Sequence, residues 1–319
     1  MILSIVVPCY NEEKTIIIFY NEFIKIFNHQ IKKNNPDMEY ELILVNDGSK
    51  DNTLKTIKEI ADKDHKVKFI SFSRNFGKES ALYAGLKNST GNYIAVMDAD
   101  LQDPPSLLPQ MIETLETGDY DIIGTRRISR DGEPPIRSFF ARQFYKIFNF
   151  ISKIDLVDGA RDFRLMTKQV AEAIIELEEY NRFSKGIFNW VGFNTKWIEY
   201  KNIERIDGET SWSFIGLFKY SIEGILSFTT APLLISTIFG TLISLIAFMV
   251  IIYIVIKTLL YGNPVQGWAS TISIILLLGG IQLLSIGILG QYIGKTYTEI
   301  KNRPIFIIKE TNINKVFES

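Results

Sequence analysis

The sequence predicts an α/β domain built on a parallel sheet, followed by a segment embedded in a membrane. Up to about residue 125, short runs rich in β-branched residues alternate with longer amphipathic stretches, a pattern typical of a parallel sheet covered by helices on both faces. Hydrophobic residues make up 46% of the 319 residues, although 22% are charged. The apolar excess is concentrated in the last third, where two long uncharged runs occur.

The first part of the chain predicts four strands and three helices. The strands are expected at residues 4–7, 41–45, 67–72 and 93–97, and the helices at about residues 14–33, 52–62 and 78–89. In an open parallel sheet, ligands bind beyond the carboxyl ends of the strands. Polar clusters follow all four strands, at residues 8–12, 47–51, 74–78 and 98–103. We therefore expect these clusters to form one site.

Two runs in the last third are each long enough to cross a bilayer, for which about 20 apolar residues suffice. Residues 232–260 carry no charge before Lys257, and residues 268–293 carry none. These runs predict two transmembrane helices. Just ahead of them, the aromatic and amphipathic stretch within residues 213–231 is typical of a helix lying on a membrane surface.

The charges on either side of the two runs predict their orientation. The connecting residues 261–267 are uncharged, whereas basic residues follow the second run at positions 295, 301, 303 and 309. The positive-inside rule then places both termini on the cytoplasmic side of the inner (plasma) membrane. The chain is thus divided into an α/β domain (1–212), a membrane-surface region (213–231), two spans (232–294) and a cytoplasmic C-terminal tail (295–319).

Composition excludes some classes of partner and covalent link. The formal net charge of −1 provides no basic field for a nucleic-acid partner. The single cysteine, Cys9, cannot form an internal disulfide and has no partner for a cysteine metal site. We expect Cys9 to be packed at the end of the first strand.

Two acidic residues directly after the fourth strand predict a metal site. Asp98 and Asp100 are one residue apart, and Gln102 follows them. Carboxylates placed in this way can turn toward a hard divalent cation, which takes oxygen ligands. Mg²⁺ or Mn²⁺ bound there would contact phosphate oxygens and stabilise the charge on a departing diphosphate. A solvated turn is the alternative for so short a motif, and the preceding buried strand favours the metal.

Four segments, taken in order, resemble the signature segments of family 2 glycosyltransferases: VPCYNEE, VNDGSKDNT, SRNFGKESALYAGL and DADLQDPP. More narrowly, they are similar to the polyprenyl-phosphate glycosyltransferases, the group of dolichol-phosphate mannose synthase and bacterial undecaprenyl-phosphate sugar transferases. The resemblance continues through DFRLM and RIDGETSWSF to the paired spans. It implies a GT-A (Rossmann-like, nucleotide-binding) catalytic domain followed by interfacial amphipathic helices and two transmembrane helices.

The resemblance also implies donor-binding residues at the strand ends. Asp47 is expected to hydrogen-bond the nucleobase. Gly77 and Lys78 belong to a loop that closes on the donor, where a helix N-terminus beside a lysine favours an anion. Helix capping is the alternative role for Ser49 and Asp51. The whole donor-binding set is Pro8, Tyr10, Asn11, Glu12, Asp47, Ser49, Asp51, Arg74, Asn75, Gly77, Lys78 and Ala99.

Arginines in the middle of the chain are expected to bind the acceptor phosphate. By resemblance these are Arg126, Arg137 and Arg205, and the planar guanidinium group suits phosphate oxygens. Three further arginines are interpreted as a general attraction to anionic headgroups. They are Arg127, Arg130 and Arg142.

Three acidic residues are candidates for a direct part in catalysis. Asp100 would act through the metal. Asp158 and Asp162 are equal candidates for a group that takes the last phosphate proton or orients the attack, with bracing of their loop as the alternative. A phosphate acceptor needs little help of this kind, because its second pKa is near 6.

We therefore expect an inverting, metal-dependent transfer of a sugar from a nucleotide-sugar to a polyprenyl phosphate such as undecaprenyl phosphate. The product would be a β-linked lipid-phosphate sugar for cell-envelope glycosylation. A UDP-sugar (UDP-glucose or UDP-GlcNAc) is favoured over a GDP-sugar, and the residues do not specify the sugar itself. Tetramers occur among such relatives, so a homo-oligomer is one assembly to consider.

Two other functions are alternatives to this transfer. A processive polysaccharide synthase would carry a Q-x-x-R-W motif on a helix before its spans, and the sequence has none. A catalytically silent membrane adaptor would be favoured by loss of the metal carboxylates or the arginines, and all of these are present.

Overall fold

A computed structural model describes residues 1–128, 135–152, 154–200, 221–222, 224–261 and 267–313. Within these ranges, one mixed sheet forms the centre of the N-terminal domain. Its strands are β1 (Ile2–Cys9), β2 (Glu39–Asn46), β3 (Val67–Phe72), β4 (Tyr93–Val96), β5 (Ile122–Arg127), β6 (Ala160–Thr167), β7 (Thr195–Tyr200) and β8 (Ile308–Thr311). Their order across the sheet is β7-β5-β6-β4-β1-β2-β3-β8.

The first four strands form a parallel unit that determines where the site lies. Strand β1 pairs in parallel with β2 and with β4, and β2 pairs in parallel with β3. The order 3-2-1-4 is that of a doubly wound nucleotide-binding fold, in which ligands bind where the strand order reverses. All four predicted strands are confirmed, with ends shifted by no more than two residues.

The structure gives bounds for nine α-helices longer than three residues. They are α1 (Thr15–Ile26), α2 (Thr53–Lys63), α3 (Lys78–Lys87), α4 (Leu108–Glu116), α5 (Pro135–Ile151), α6 (Lys168–Ile175), α7 (Ser184–Trp190), α8 (Ala231–Tyr261) and α9 (Trp268–Ile300). Helix α1 continues through a π-helical turn, Phe27–Ile31, into the short helix Lys32–Asn34. The three helices predicted in the first part of the chain are therefore confirmed.

Both faces of the sheet are buried, which explains why β1 is apolar apart from Ser4. Ile5 belongs to one apolar cluster with Phe19 of α1, whereas Val6 belongs to a second cluster with Leu82 of α3. A fully buried side chain of this size contributes about 1.5–3 kcal/mol. Helix α3 lies close on the sheet, because a Cβ added at Gly85 would be 2.2 Å from Cγ1 of Val6.

The two C-terminal helices are each long and apolar enough to cross a membrane. The stretches that meet this description are Ala231–Ile254 in α8 and Leu277–Ile300 in α9, and neither is buried inside the protein. The hydroxyl groups of Ser236 and Ser285 form a hydrogen bond between the helices (2.8 Å). Of the predicted membrane-surface region, residues 213–220 lie outside the described residues, and residues 224–228 are helical.

Hydrogen bonds link the segment just before α8 both to the α/β domain and to α9. The Thr229 hydroxyl, just before α8, donates to the carbonyl of Ile151 at the end of α5 (2.9 Å). The Tyr292 hydroxyl on α9 donates to the carbonyl of Thr229 (2.7 Å). Lys295 Nζ donates to Ser227 Oγ (2.8 Å). The end of the amphipathic helix α5 is thereby linked to the start of α8 and, through Thr229, to α9.

The segment after α9 returns to the sheet. Strand β8 pairs antiparallel with β3 and forms the edge of the sheet at that side. The sequence predicted only a cytoplasmic tail for residues 295–319, so this strand is a feature that the sequence reading missed. Its four residues, IKET, carry little of the apolar patterning by which a strand is recognised.

Candidate active site

The loops after β1 and β2 hold each other through reciprocal hydrogen bonds. The Asn11 amide donates to Ser49 Oγ (3.0 Å), and the Lys50 amide donates to Asn11 Oδ1 (2.9 Å). Asn11 has a φ of 56°, a left-handed conformation that asparagine tolerates better than most residues. Two of the predicted donor residues, Asn11 and Ser49, are therefore brought together in a fixed turn.

Asp51 braces the start of α2 in the same region. Its Oδ1 accepts hydrogen bonds from the Thr53 amide (3.0 Å) and the Thr53 hydroxyl (2.6 Å). The Glu12 amide in turn donates to Thr53 Oγ1 (2.7 Å). These contacts agree with the helix-capping alternative for Asp51, whereas Ser49 bonds to the neighbouring loop. Ligand binding by either residue stays a prediction.

Residues 74–78, here called the donor loop, approach the turn at Gly48 closely. Gly48 has a φ of 64°, and a Cβ placed on it would lie 2.3 Å from the carbonyl carbon of Arg74. Asp47 accepts hydrogen bonds from the amides of Phe76 (2.6 Å) and Gly77 (2.9 Å). A nucleobase contact of Asp47 stays a prediction, and its carboxylate already fixes the shape of the donor loop.

The environment of Asp47 changes its acidity. Asp47 is only 3% exposed. Burial raises the pKa of the Asp47 carboxyl, and the amides of Phe76 and Gly77, together with Arg74, only partly offset this rise. The Arg74 guanidinium lies over the Phe76 ring, 3.9 Å from its centroid.

The remaining predicted donor residues lie around the same strand ends. Tyr10 is 41% exposed, so its ring is available at the rim of the crevice. Asn75 is exposed and Ala99 is buried. Pro8 is paired with Val45 in the parallel sheet. Glu12 accepts a hydrogen bond from the Thr15 hydroxyl.

Lys78 joins two carboxylates that are far apart in the sequence. Its Nζ lies 2.7 Å from Oδ1 of Asp98, at the end of β4, and 2.5 Å from Oδ2 of Asp162, on β6. Lys78 and Asp162 are separated by 84 positions, and the antiparallel pairing of β4 with β6 brings them together. This charged group, Lys78 with Asp98 and Asp162, is called the lysine–aspartate cluster below.

The cluster fixes the charge of its members. Burial alone would raise the pKa of Asp162, but the positive charges of Lys78, Lys185 and Arg161 outweigh burial and hold it well below its usual range. Burial would likewise lower the pKa of Lys78, and the carboxylates of Asp162 and Asp98 raise it above its usual range instead. Near neutral pH, Asp162 is therefore a carboxylate with little tendency to accept a proton.

A second layer of contacts supports the loop that carries Asp98 and Asp100. The Gln102 amide N–H donates to Asp100 Oδ1 (3.1 Å). Arg161 donates to Gln102 Oε1 (3.2 Å) and to Oδ1 of the fully buried Asp103 (2.8 Å). The Tyr200 hydroxyl also donates to Asp103. The roles of Arg161, Asp103 and Tyr200 were missed from the sequence, because they depend on β6 and β7 lying beside the β4 loop.

The acidic residues fit a divalent cation that arrives together with a diphosphate. In the part of the chain that the structure describes, no group of three or more His, Cys, Asp or Glu side chains could hold a metal ion by itself. Mg²⁺, however, is commonly held by one or two protein carboxylates together with substrate phosphates. The half-buried Asp98 and Asp100 supply two carboxylates of this kind. Arg161 donates to the side-chain oxygen of Gln102, as Lys78 does to Asp98, and a metal contact of Gln102 stays a prediction.

Asp158 occupies a different place from Asp162. It is exposed, in the turn that precedes β6. The next residue, Gly159, has a φ of 78°, and its carbonyl accepts a hydrogen bond from the Arg127 amide (3.0 Å). The structure thus joins Asp162 to the lysine–aspartate cluster and leaves Asp158 at the surface.

The predicted phosphate-binding arginines are described only in part. Arg126, the second-last residue of β5, forms an ion pair with Glu199 of β7 (2.6 Å). The two side chains are 41% and 47% exposed. Arg137 lies on α5, but its side chain, like Arg130 and Arg205, falls outside the described residues. Arg126 is therefore available at the surface once Glu199 releases it.

Arg164, two residues beyond Asp162 on β6, is a buried cation that the sequence reading did not single out. It is 1% exposed, and its guanidinium lies over the rings of Phe188 (4.3 Å) and Trp197 (5.2 Å). Burial lowers its pKa to about 10, while Asp162 opposes that shift. Arg164 adds positive charge behind Asp162 and helps to keep that carboxylate ionised.

Comparison with known proteins shows the family to which the chain belongs. Residues 4–175 match the family model described as glycosyl transferase family 2. CsbB of Bacillus subtilis (strain 168) is 44% identical over 314 residues, which cover 98% of this chain and 92% of that protein. The protein named bactoprenol glucosyl transferase of Shigella phage SfII is 41% identical over 315 residues, covering 98% of this chain and 99% of that protein.

Among solved structures, the glucosyl-3-phosphoglycerate synthase of Mycobacterium tuberculosis is similar with a TM-score of 0.47 and 17% identity, over 70% of this chain and 77% of that chain. The family match and the near full-length relatives define the class of protein. The chain belongs to glycosyl transferase family 2, as its motifs predicted, and it is a glycosyltransferase with the GT-A fold.

Proposed function

We propose that this protein transfers a sugar, with glucose the first candidate, from a UDP-sugar to the phosphate of a polyprenyl lipid at the membrane surface. The observation that carries the proposal is the attachment of the catalytic domain to the apolar helices. Helix α5 includes Arg137 and Arg142, and its last residue, Ile151, accepts a hydrogen bond from Thr229 at the start of α8. Basic residues on a helix held beside membrane-spanning helices suit an acceptor whose phosphate lies among lipid headgroups.

The relatives support the proposed identity of both the acceptor and the sugar. Near full-length similarity to a protein named bactoprenol glucosyl transferase points to a bactoprenol lipid as acceptor and to glucose as the sugar. UDP-GlcNAc remains an alternative donor, because no contact in the described residues specifies the sugar hydroxyls. The bracing of the loops after β1, β2 and β3 suits a nucleotide, since those strand ends surround the crevice of a doubly wound fold.

In this reaction, a phosphate oxygen of the lipid attacks the anomeric carbon of the donor sugar. The new bond from carbon to oxygen forms as the bond from that carbon to the diphosphate oxygen breaks, which inverts the configuration. Asp98 and Asp100 would hold Mg²⁺ or Mn²⁺, which when bound stabilises negative charge on the leaving diphosphate. Lys78, at the start of α3, adds a second cation at a helix N-terminus.

The low pKa of Asp162 bears on how the acceptor is activated. A carboxylate already neutralised by Lys78 is a weak proton acceptor, so Asp162 is better suited to orient Lys78 than to act as a base. Lipid phosphate needs little deprotonation near neutral pH, since its second pKa is near 6. Asp158, which is exposed, stays the candidate for taking the last proton.

The chain's topology supports a cytoplasmic location for the catalytic domain. If α8 and α9 both cross the bilayer, the segment after α9 returns to the side on which α8 began. The pairing of β8 with β3 fits that arrangement, because the segment after α9 joins the same sheet as the strands that precede α8. The basic residues after α9 favour the cytoplasm for this side. A homo-oligomer is part of the same proposal.

A reconstituted reaction tests the function. Purified protein in detergent is mixed with a labelled sugar nucleotide (UDP-glucose, UDP-GlcNAc or a GDP-sugar), undecaprenyl phosphate and either Mn²⁺, Mg²⁺ or EDTA. We expect label in the lipid only when a divalent cation and the phosphorylated lipid are both present. Undecaprenol without phosphate is the matched acceptor control. The absence of labelled lipid with every donor would contradict the proposal, and label in a polymer would favour a processive synthase.

A further inference from the structure

We propose that Phe306, in the segment between α9 and β8, is a positioning residue that holds the donor loop in its binding conformation. The proposal rests on the nucleotide-sugar function given above and adds a residue more than 200 positions away from that loop. Phe306 is half-buried against the apolar cluster that contains Phe72 and Leu82, and it precedes β8, which pairs with β3 on the side away from β2. It acts through its neighbours and not by touching the donor.

A continuous stack of rings leads from Phe306 to the crevice. The Phe306 ring stacks on Phe72, the last residue of β3, with centroids 5.0 Å apart and planes 16° apart. The Phe72 ring in turn meets the Phe76 ring edge-on, with centroids 5.7 Å apart. Phe76 belongs to the donor loop and carries the Arg74 guanidinium on its ring. The Phe306 ring also packs against Tyr83 of α3, at 6.2 Å.

The donor loop is thus held on two sides. On the crevice side, Asp47 accepts hydrogen bonds from the amides of Phe76 and Gly77. On the other side, the ring of Phe76 rests on Phe72, whose own position depends on Phe306. The residue before the loop, Ser73, donates its amide to the carbonyl of Ile307 (3.0 Å), so the backbone is tied to the same segment.

The segment itself is firmly attached to β3. Asn312 acts as a backbone mimic, because its Oδ1 accepts from the Phe69 amide (2.7 Å) and its Nδ2 donates to the Val67 carbonyl (3.1 Å). Glu310 forms an ion pair with Lys58 of α2 (2.5 Å). A segment fixed in this way gives Phe306 a defined position, and it begins directly where α9 ends.

Substitution of Phe306 tests the role, with its neighbour as a matched control. Phe306→Ala removes both ring contacts, and we expect the donor KM and the Kd of UDP to rise about tenfold, the size expected for the loss of two aromatic pairs. The kcat at saturating donor should change by less than about twofold, because the reacting groups are untouched. Phe306→Tyr should retain wild-type values. Ile307→Ala, in the same segment with a side chain that is 53% exposed, should behave as wild type.

Hydrogen exchange of the donor loop provides a readout that does not depend on nucleotide. In Phe306→Ala the amides of Phe76 and Gly77 should exchange faster, while those of β1 and β2 are unchanged. Phe306→Leu keeps apolar bulk without the ring and gives the same comparison if the alanine variant is poorly folded. Wild-type exchange in the loop together with wild-type UDP affinity in these variants would overturn the proposal. Failure of the wild-type protein to bind UDP would instead contradict the proposed function.

Discussion

The two sides of the crevice are built in different ways. On the donor side, the loops after β1, β2 and β3 are held by hydrogen bonds between backbone amides and side-chain oxygens, such as Asn11 with Ser49 and Asp47 with the donor loop. On the metal side, the lysine–aspartate cluster is held by opposite charges around Lys78. The donor side therefore has its shape without a ligand, whereas the metal side has its charge balanced by an internal cation.

The difference has a physical reason. A half-buried carboxylate without a partner is costly, since burial disfavours the charged form. Lys78, together with Lys185 and Arg161, supplies the balancing positive charge for Asp98 and Asp162 within the protein. An incoming divalent cation and diphosphate must then share or replace those contacts, so we expect substitutions on the metal side to affect turnover and substitutions on the donor side to affect donor affinity.

The largest effect is expected for Asp98→Asn, which removes a charge from the metal side. Transfer should fall about a thousandfold, the upper range for loss of one electrostatic group at a reacting centre. The initial rate of labelled-lipid formation measures this change at saturating metal. Asp62→Asn on α2, an exposed position, is the control and should leave the rate unchanged. Retention of more than about a tenth of the activity by Asp98→Asn would show that this carboxylate does not hold the metal.

Lys78→Met should lower turnover about a hundredfold, because it removes the cation that bridges Asp98 and Asp162. It should also change how stability depends on pH. In the wild type the pKa of Asp162 is lowered by folding, so its contribution to stability is present above the unfolded pKa of about 3.9 and is lost as the pH falls below it.

The difference in thermal midpoint between wild type and Lys78→Met should therefore shrink as the pH is lowered from about 6 to about 3. Unfolding scans in detergent across that range measure it. A difference that stays constant with pH would mean that Asp162 is not held ionised by Lys78.

On the donor side, Gly48→Ala should raise the donor KM about tenfold, because the added Cβ would press on the backbone of Arg74 and displace the donor loop. Gly118→Ala is the matched control. Gly118 also has a positive φ, of 80°, but a Cβ there meets nothing within 4 Å. Both variants should lose about 1–2 kcal/mol of stability from the backbone conformation alone. Equal donor KM values for the two variants would contradict the contact between the loops.

The smallest effect concerns the acceptor. Glu199→Gln frees Arg126 from its ion pair and should lower the KM for lipid phosphate by about two- to threefold, since half-exposed ion pairs contribute 1 kcal/mol or less. Arg126→Ala should act in the opposite direction. Glu59→Gln, on the exposed side of α2, serves as the control. An unchanged acceptor KM in both Glu199→Gln and Arg126→Ala would remove Arg126 from the phosphate site.

Much of the fold was predictable because it is encoded locally. The apolar run of β1 and the polar residues that follow it, Pro8–Glu12, lie within a dozen positions of each other, and the same is true of β4 with Asp98 and Asp100. Burial on both faces of a parallel sheet requires such runs. The acidic pair Asp98 and Asp100, the loop at residues 74–78 and the two apolar helices could therefore all be located, and the family assignment from these segments is confirmed. Metal binding by the acidic pair stays a prediction.

The contacts that organise the site were harder to predict from the sequence. No local pattern links Lys78 to Asp162, Arg161 to Gln102, or Phe306 to Phe72, because each pair is joined by the order of strands and not by spacing. Asp47 was assigned to a nucleobase by resemblance, and its bonds to the donor loop came only from the structure. Arg137, Arg205 and the capacity to assemble as an oligomer stay predictions.

The sequence by itself determined the α/β class, the strand ends that carry polar groups, the acidic pair Asp98 and Asp100, and two helices apolar enough to cross a membrane. Side-chain periodicity and hydrophobic run length act over a few residues, so they are readable along the chain. Only the tertiary structure decided that Lys78 lies between two aspartates, that Asp162 is held ionised, and that the segment after α9 closes the sheet. Those facts follow from which strands become neighbours, which is set by packing of the whole domain.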